Sequence, residues 1–281
     1  MNPRWPIYIP SKGRSESRIT IRALARRNIP FFVVVEPQEH DAYAAILPAQ
    51  GTLLTLPWSN RPDGLVAARN WIRAHAEAAG HRWHWQLDDN IWSFYRLHRG
   101  LKWRTTDGTT FAAIEHWADR YQNVAVAGMQ YELLTPRRQQ QPPMILNTRV
   151  YSCCLFNHAS PHWWRDIYND DTDLCLRNLK DGWVTALFVA FLAKKNGTMR
   201  VPGGNTPIYQ ANGRWLMAQS LLHQHPDVTR VIWRYGRWQH LVDYSRFRGN
   251  ALRLKPGAQV PESPDEFGMV LRTPDGVASP P

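Results

Sequence analysis

Over about the first ninety positions, short continuous apolar runs alternate with amphipathic stretches. Ile7-Tyr8-Ile9-Pro10 predicts a strand that stops at a proline and the polar turn Ser11-Lys12-Gly13-Arg14, after which Ser17 can cap a helix running to about Arg27. Phe31 to Val35 reads as a buried strand ended by Glu36-Pro37. A helix from about Glu39 to Leu47, a strand from Thr52 to Leu56, a helix from Gly64 to Ala79 and a strand from Trp83 to Leu87 follow. The last strand runs straight into Asp88-Asp89-Asn90. Strands buried on both faces read as unbroken apolar runs, so this alternation predicts an α/β fold with a mostly parallel sheet flanked by helices. Ligands bind such sheets outside the carboxyl ends of the strands. The turns at Pro10 to Arg14, Glu36-Pro37 and Asp88 to Asn90 should therefore meet at one crevice.

The second half is less regular. It predicts a helix from Thr110 to Arg120, a strand from Val124 to Met129, an exposed loop from Pro136 to Pro143 and one long strand from Ile145 to Phe156. Tyr168-Asn169-Asp170-Asp171 opens a helix to Asp181, and Trp183 to Leu192 is a buried run. A turn at Gly203-Gly204-Asn205, a helix from Gly213 to His223 and two short strands, Val228 to Trp233 and Trp238 to Tyr244, complete the pattern. Residues 1–255 read as one domain with two halves that divide at about residue 130. Residues 256–281, rich in proline, glycine and serine, read as a disordered tail.

Composition sharpens this. An apolar fraction of 43% argues against global disorder. The proline-containing, charged start is no export signal, and the run from Trp183 to Ala193 is too short for a bilayer core of roughly 20 residues, so a soluble cytoplasmic protein with no membrane partner is expected. Three cysteines, two of them adjacent, suit buried reduced thiols better than a disulfide framework or a zinc site. The formal charge of +11 favours a polyanionic partner. From Arg200 to Arg253 there are eight arginines and no lysine, interleaved with aromatic residues. Arginine with aromatics supports phosphate contact and base stacking, and equally describes a solvated surface over a tryptophan-rich core.

Two acidic runs carry candidate chemistry. Adjacent carboxylates Asp88 and Asp89 at a strand end repel each other unless a cation joins them, and oxygen ligands suit magnesium or manganese; a solvated acidic turn is the plainer alternative. Asn169-Asp170-Asp171-Thr172-Asp173 at a helix start can be capping alone, or can present a carboxylate that takes a proton from an acceptor hydroxyl. Lys12, Arg14 and Arg69 lie where they could neutralise a diphosphate, although Arg69 also reads as an exposed helix arginine. No GxGxxG, P-loop, HExxH or CxxC motif is present.

The ordered set Tyr8-Ile9-Pro10-Ser11-Lys12-Gly13-Arg14, Val33 to Glu39, Ala68-Arg69-Asn70, Asp88-Asp89-Asn90, Tyr168 to Leu174, Asp181-Gly182-Trp183, Gly203-Gly204-Asn205, His225 to Val228 and Gly236-Arg237 resembles the TET-associated glycosyltransferases of bacteriophages. The resemblance runs from about Ile7 to Asn250, and it implies a nucleotide-sugar half to about residue 130 and an acceptor half after it. It implies a GT-A enzyme moving sugar from a UDP-sugar, UDP-GlcNAc or UDP-glucose first, to 5-hydroxymethylcytosine in phage DNA. It further implies that Pro10, Ser11, Lys12, Arg14 and Glu36 surround the nucleotide, with Arg69 near the diphosphate and Asp88 near the ribose. Asp89, Asp88 and His225 would hold Mn2+ or Mg2+, with Asn90 standing where a second aspartate is usual. Asp171, with Asp170 in reserve, would be the general base. Arg214, Arg230, Arg234 and Arg237 are the expected DNA contacts. A glycan or protein acceptor, or a non-enzymatic DNA-binding protein, are the competing readings.

Overall fold

Four apolar segments form parallel strands: β1 (Ile7–Pro10), β2 (Phe31–Val35), β3 (Gly51–Thr55) and β4 (Trp83–Leu87). Helices α1 (Ile19–Ala25), α2 (His40–Ala44) and α3 (Gly64–Ala78) connect them. The computed structural model describes residues 1–136, 142–195 and 212–260. The expected turn at Gly203-Gly204-Asn205, most of the loop between Pro136 and Pro143, and the tail beyond 260 lie outside the described residues.

The chain continues through β5 (Ile91–His98), β6 (Leu101–Arg104), α4 (Thr109–Ala118), β7 (Val124–Tyr131), β8 (Met144–Leu146), β9 (Cys153–Asn157), α5 (Asp170–Lys180) and β10 (Val184–Lys195). Then come α6 (Gly213–Gln224) and a separate ribbon, β11 (Thr229–Arg234) with β12 (Arg237–Val242). Among the described residues the main sheet has the order β3-β2-β1-β4-β9-β7-β10-β5-β6, with β8 also on β10. Relative to β1, only β5, β8 and β9 run the opposite way, so the sheet is mostly parallel in direction, as expected.

Alternation along each strand divides the core. Ile7, Ile9, Val33 and Val35 pack on one face with Leu24 of α1 and Ile114 and Trp117 of α4. Tyr8 and Val34 pack on the other with Ile72 and Ala76 of α3, and Cys154 and Phe156 of β9 join Leu174 of α5 on that side. All three cysteines are buried free thiols, as predicted. No helix among the described residues is long and apolar enough to cross a membrane.

Three local expectations change. Ser17 does not cap α1; its hydroxyl donates to the Arg14 carbonyl at 3.2 Å, and the helix starts after Arg18 in a left-handed conformation. The run from Ile145 to Phe156 is two strands, β8 and β9, because Asn147 and Ser152 take positive φ and break the extended path. The hairpin β5–β6 was not anticipated, since Arg96 and His98 interrupt its apolar pattern.

Gly128 in β7 sits so close to β9 that a Cβ there would collide with the Cys153 carbonyl oxygen and the Val150 side chain. Backbone cannot yield as a flexible side chain can. Gly128→Ala is therefore expected to cost about 1–3 kcal/mol, read from the urea midpoint; an unchanged midpoint would show that the strands can part at no cost.

Candidate functional site

The carboxyl end of β4 is where the sheet assembles chemistry. Because β9 is antiparallel to β4 with Cys153 opposite Leu87, Ser152 arrives beside Asp88, whose amide donates to the Ser152 carbonyl at 2.8 Å. The ends of β7 and β10 bring Tyr131 and Lys195 to the same point. Lys195 Nζ donates to Asp88 Oδ2 at 2.7 Å and to Ser152 Oγ at 2.9 Å, and lies 4.8 Å from the Tyr131 ring centroid. Thr20 of α1 pins the acidic turn, its hydroxyl donating to the Asp88 carbonyl at 2.6 Å and accepting from the Ile91 amide at 2.8 Å.

The chain turns at Asp89-Asn90 directly after β4, and this turn separates the two aspartates. Asp89 turns under β1, where Ser11 Oγ donates to it at 2.7 Å and Arg14 pairs with it. Burial pushes its carboxyl above the ordinary range, against the pull of Arg14 and Ser11. Beside it, at the ends of β1 and β2, Lys12 donates to Glu36 at 2.8 and 2.9 Å, and the Asn60 amide donates to Glu36 at 2.9 Å. Pro10, Ser11, Lys12, Arg14 and Glu36 are thus gathered as a group at neighbouring strand ends.

Asp88 faces the other way, into a cavity of about 830 Å³, within the usual size for a ligand site. Asp170 and Asp171 share its floor, both converging on Arg69 of α3. Arg69 Nε lies 2.7 Å from Asp170 Oδ2, and Nη2 lies 3.4 Å from Asp171 Oδ1 and 3.8 Å from Asp88 Oδ1. Arg69 is buried, so it is the shared counter-ion of three carboxylates rather than an exposed helix arginine. Burial would lower its pKa, but the three carboxylates outweigh this and raise it. The same burial raises the Asp88 carboxyl, and Lys195 and Arg69 more than offset it, leaving Asp88 low and ionised.

The acidic run of α5 does not act as a cap. Asn169 holds a left-handed conformation with no side-chain capping bond, and its amide donates instead to the Met217 carbonyl at 2.6 Å. Asp171 Oδ2 accepts from the Ser152 amide at 3.4 Å. Asp170 Oδ2 and Asp171 Oδ1 are buried with no aligned hydrogen bond despite their nearness to Arg69. Burial is the main force on Asp171 and pushes it up to about 7, Arg69 opposing and the neighbouring Asp170 and Asp88 adding to the rise.

The lining is also cationic: Arg149, Arg214 of α6, and Arg234 and Arg237 of the β11–β12 ribbon line the same cavity. Arg230 is exposed farther along β11 and does not line it. Lys195, Ser152, Tyr131 and Arg149 were missed by sequence reasoning. The signal for Lys195 was the lysine pair that ends the apolar run of β10 at a strand carboxyl end.

His225 is a correction. It is buried behind α5, where Nε2 lies 2.9 Å from Asp173 Oδ1, and it does not line the cavity. Burial raises the Asp173 carboxyl, but His225, Arg165 and Arg177 together hold it down at about 2. A carboxylate so satisfied gives the imidazole a structural task.

Oxygen ligands serve a divalent cation when their charge is not already met. Here Asp88 is met by Lys195 and Arg69, Asp89 by Arg14, and His225 is held on Asp173. No group of three or more His, Cys, Asp or Glu side chains among the described residues is arranged to hold a metal. The residues expected as metal ligands therefore do not fit a Mn2+ or Mg2+ centre. Calorimetric titration of Mn2+ into the protein without nucleotide is expected to give no saturable site, and one stoichiometric site of micromolar affinity would overturn this.

A search of curated proteins gives no match. Among solved structures, GalNAc-T7 with UDP, GalNAc and Mn2+ is similar at 8% identity and a TM-score of 0.44, over 68% of this chain and 43% of that one. The A197 protein from STIV is similar at 12% identity and a TM-score of 0.40, over 69% of this chain and 86% of that one. The sequence profile of the TET-associated glycosyltransferase family matches residues 5–204, well over half the chain and every element from β1 to β10. The chain therefore belongs to the TET-associated glycosyltransferase family.

Proposed function

We propose that the protein moves a sugar from a UDP-sugar to the hydroxymethyl group of 5-hydroxymethylcytosine in DNA, with Asp171 as general base. The observation that carries this reading is a cavity lined both by Asp170 and Asp171, which converge on the buried Arg69, and by Arg149, Arg214, Arg234 and Arg237, with burial pushing the Asp171 carboxyl up to about 7. A carboxyl near 7 is matched to accepting a proton at neutral pH. As the acceptor oxygen forms its bond to the anomeric carbon, its proton passes to Asp171, and the bond from that carbon to the diphosphate breaks. Arg69 keeps Asp170 and Asp171 oriented by sharing its charge between them. The departing diphosphate needs cations, and Lys195, Arg149 and Arg214 line the same space. The group of Ser11, Lys12 and Glu36 at the ends of β1 and β2 is suited to the nucleoside, through its hydroxyl, ammonium and carboxylate.

A glycan acceptor would use the same floor, but it gives no reason for arginines facing each other at Arg234 and Arg237. The deciding experiment supplies labelled UDP-glucose and UDP-GlcNAc together with hydroxymethylated duplex, unmodified duplex or a neutral oligosaccharide. Label is expected only in the hydroxymethylated DNA. Label in the oligosaccharide alone would replace the acceptor, and no transfer or hydrolysis with either donor would sink the UDP-sugar reading.

A further inference from the structure

The register of the ribbon ends with Arg234 opposite Arg237, leaving Tyr235-Gly236 as a two-residue turn. Both turn residues have positive φ, 55° at Tyr235 and 67° at Gly236. A turn of this kind favours asparagine or aspartate before glycine, and a bulky side chain held there is strained. Tyr235 gains little from the fold in return. It is 74% exposed, and its ring meets the Arg234 guanidinium at 4.8 Å. The ribbon beneath it is braced: Trp238 packs edge-on against Trp233 at 5.1 Å and against Trp215 of α6 at 4.8 Å. An exposed aromatic at the ribbon tip, flanked by two arginines, lines the same cavity as Asp171.

This placement bears on the acceptor proposed above and rests on that reading. The Asp171 side chain is only 13% exposed, on the cavity floor. A base stacked within a duplex cannot bring its hydroxymethyl oxygen to such a carboxylate, so it must leave the stack, and the gap it leaves costs stacking energy until something fills it. We infer that Tyr235 is the wedge that enters duplex DNA in place of the extruded modified base, while Arg234 and Arg237 hold the phosphates on either side. Tyr235 is thus a positioning residue that touches neighbouring bases rather than the reacting atoms.

The test compares the parent with Tyr235→Ala and Tyr235→Phe on three acceptors: a fully paired duplex, a duplex with the modified cytosine opposite an abasic site, and a single strand. Tyr235→Ala is expected to lose roughly tenfold or more in kcat/KM on the paired duplex and to stay within about twofold of the parent on the other two, where unpairing is already done. Tyr235→Phe, which keeps the ring, is expected to match the parent on all three. A 2-aminopurine beside the target should brighten when the parent binds the paired duplex and stay quenched with Tyr235→Ala. Equal loss on all three acceptors would overturn the wedge, because Tyr235 would then be supporting the site or contacting the extruded base itself. No loss on any acceptor would overturn it as well. A parent that modifies none of the three DNAs would remove the acceptor reading, a failure distinguishable from a parent that is active but indifferent to position 235.

Discussion

Asp171→Asn is expected to bind UDP-sugar and DNA as the parent does and to turn over about 10²- to 10⁴-fold more slowly. A primary alcohol stays protonated at neutral pH, so its attack needs a positioned acceptor, and the amide keeps the shape of the side chain while removing its basicity. Asp171 is preferred over Asp170 because the Ser152 amide orients one of its oxygens, tying it to the Asp88 turn across the sheet. In Asp170 the oxygen Oδ2 lies against Arg69 Nε at 2.7 Å, so that carboxylate is directed at its counter-ion. The pH profile is a second reading of the same assignment. With the carboxyl pushed up to about 7 by burial, kcat/KM should rise with pH and level off above that value, since only the ionised form accepts a proton. Stability moves the other way. Between 3.8, the ordinary value, and about 7, the folded chain keeps this proton while the unfolded chain loses it. The contribution of this group is therefore full below that window and lost as pH rises through it, and Asp171→Asn should flatten that slope. Near-normal turnover in Asp171→Asn with an inactive Asp170→Asn would move the base by one residue.

Arg69→Met is expected to lower stability by about 3–5 kcal/mol and to abolish transfer. The thioether keeps most of the apolar stem, so the loss reports the charge. Asp88, Asp170 and Asp171 all lie within 3.8 Å of the guanidinium, and removing it leaves partly buried carboxylates facing one another with Lys195 as the remaining cation among these groups. The deficit should shrink as pH falls and the carboxylates take up protons, which a cavity effect would not do. Arg69→Lys keeps the charge but loses the planar fork that reaches several carboxylates at once, so an intermediate loss is expected. A urea midpoint for Arg69→Met equal to that of the parent at neutral pH would refute the hub role of Arg69.

The elements that could be read from the chain alone are those whose burial writes a local pattern. Strands β1 and β2 are covered on both faces, so each appears as a run of apolar residues, while buried β4 alternates Trp83, Trp85 and Leu87 with His84 and Gln86, and the polar turns that follow mark strand ends. Helix α3 shows the complementary periodicity, and the two acidic runs stood out because like charges side by side need an external reason. From these runs alone the α/β class and the end of the sheet bearing the chemistry could be inferred. Strand β5 and the break between β8 and β9 were illegible because charge within a half-buried strand and a positive φ at Asn147 or Ser152 leave no mark on an apolar pattern.

What each candidate residue faces was decided only in three dimensions. Lys195 reaches Asp88 across 107 positions of chain, and Ser152 reaches it because β9 inserts antiparallel between β4 and β7 in one register. Shifting that register by one residue would turn Ser152 to the opposite face. The turn after β4 sends Asp89 to Arg14 and leaves Asp88 on the cavity, although the two are neighbours and chemically identical. His225 illustrates the converse, since its position late in the chain fits a ligand and its packing against Asp173 makes it structural. Local patterns record how deeply a residue is buried, whereas partners are set by strand order and register, and these come from the packing of segments far apart in the chain.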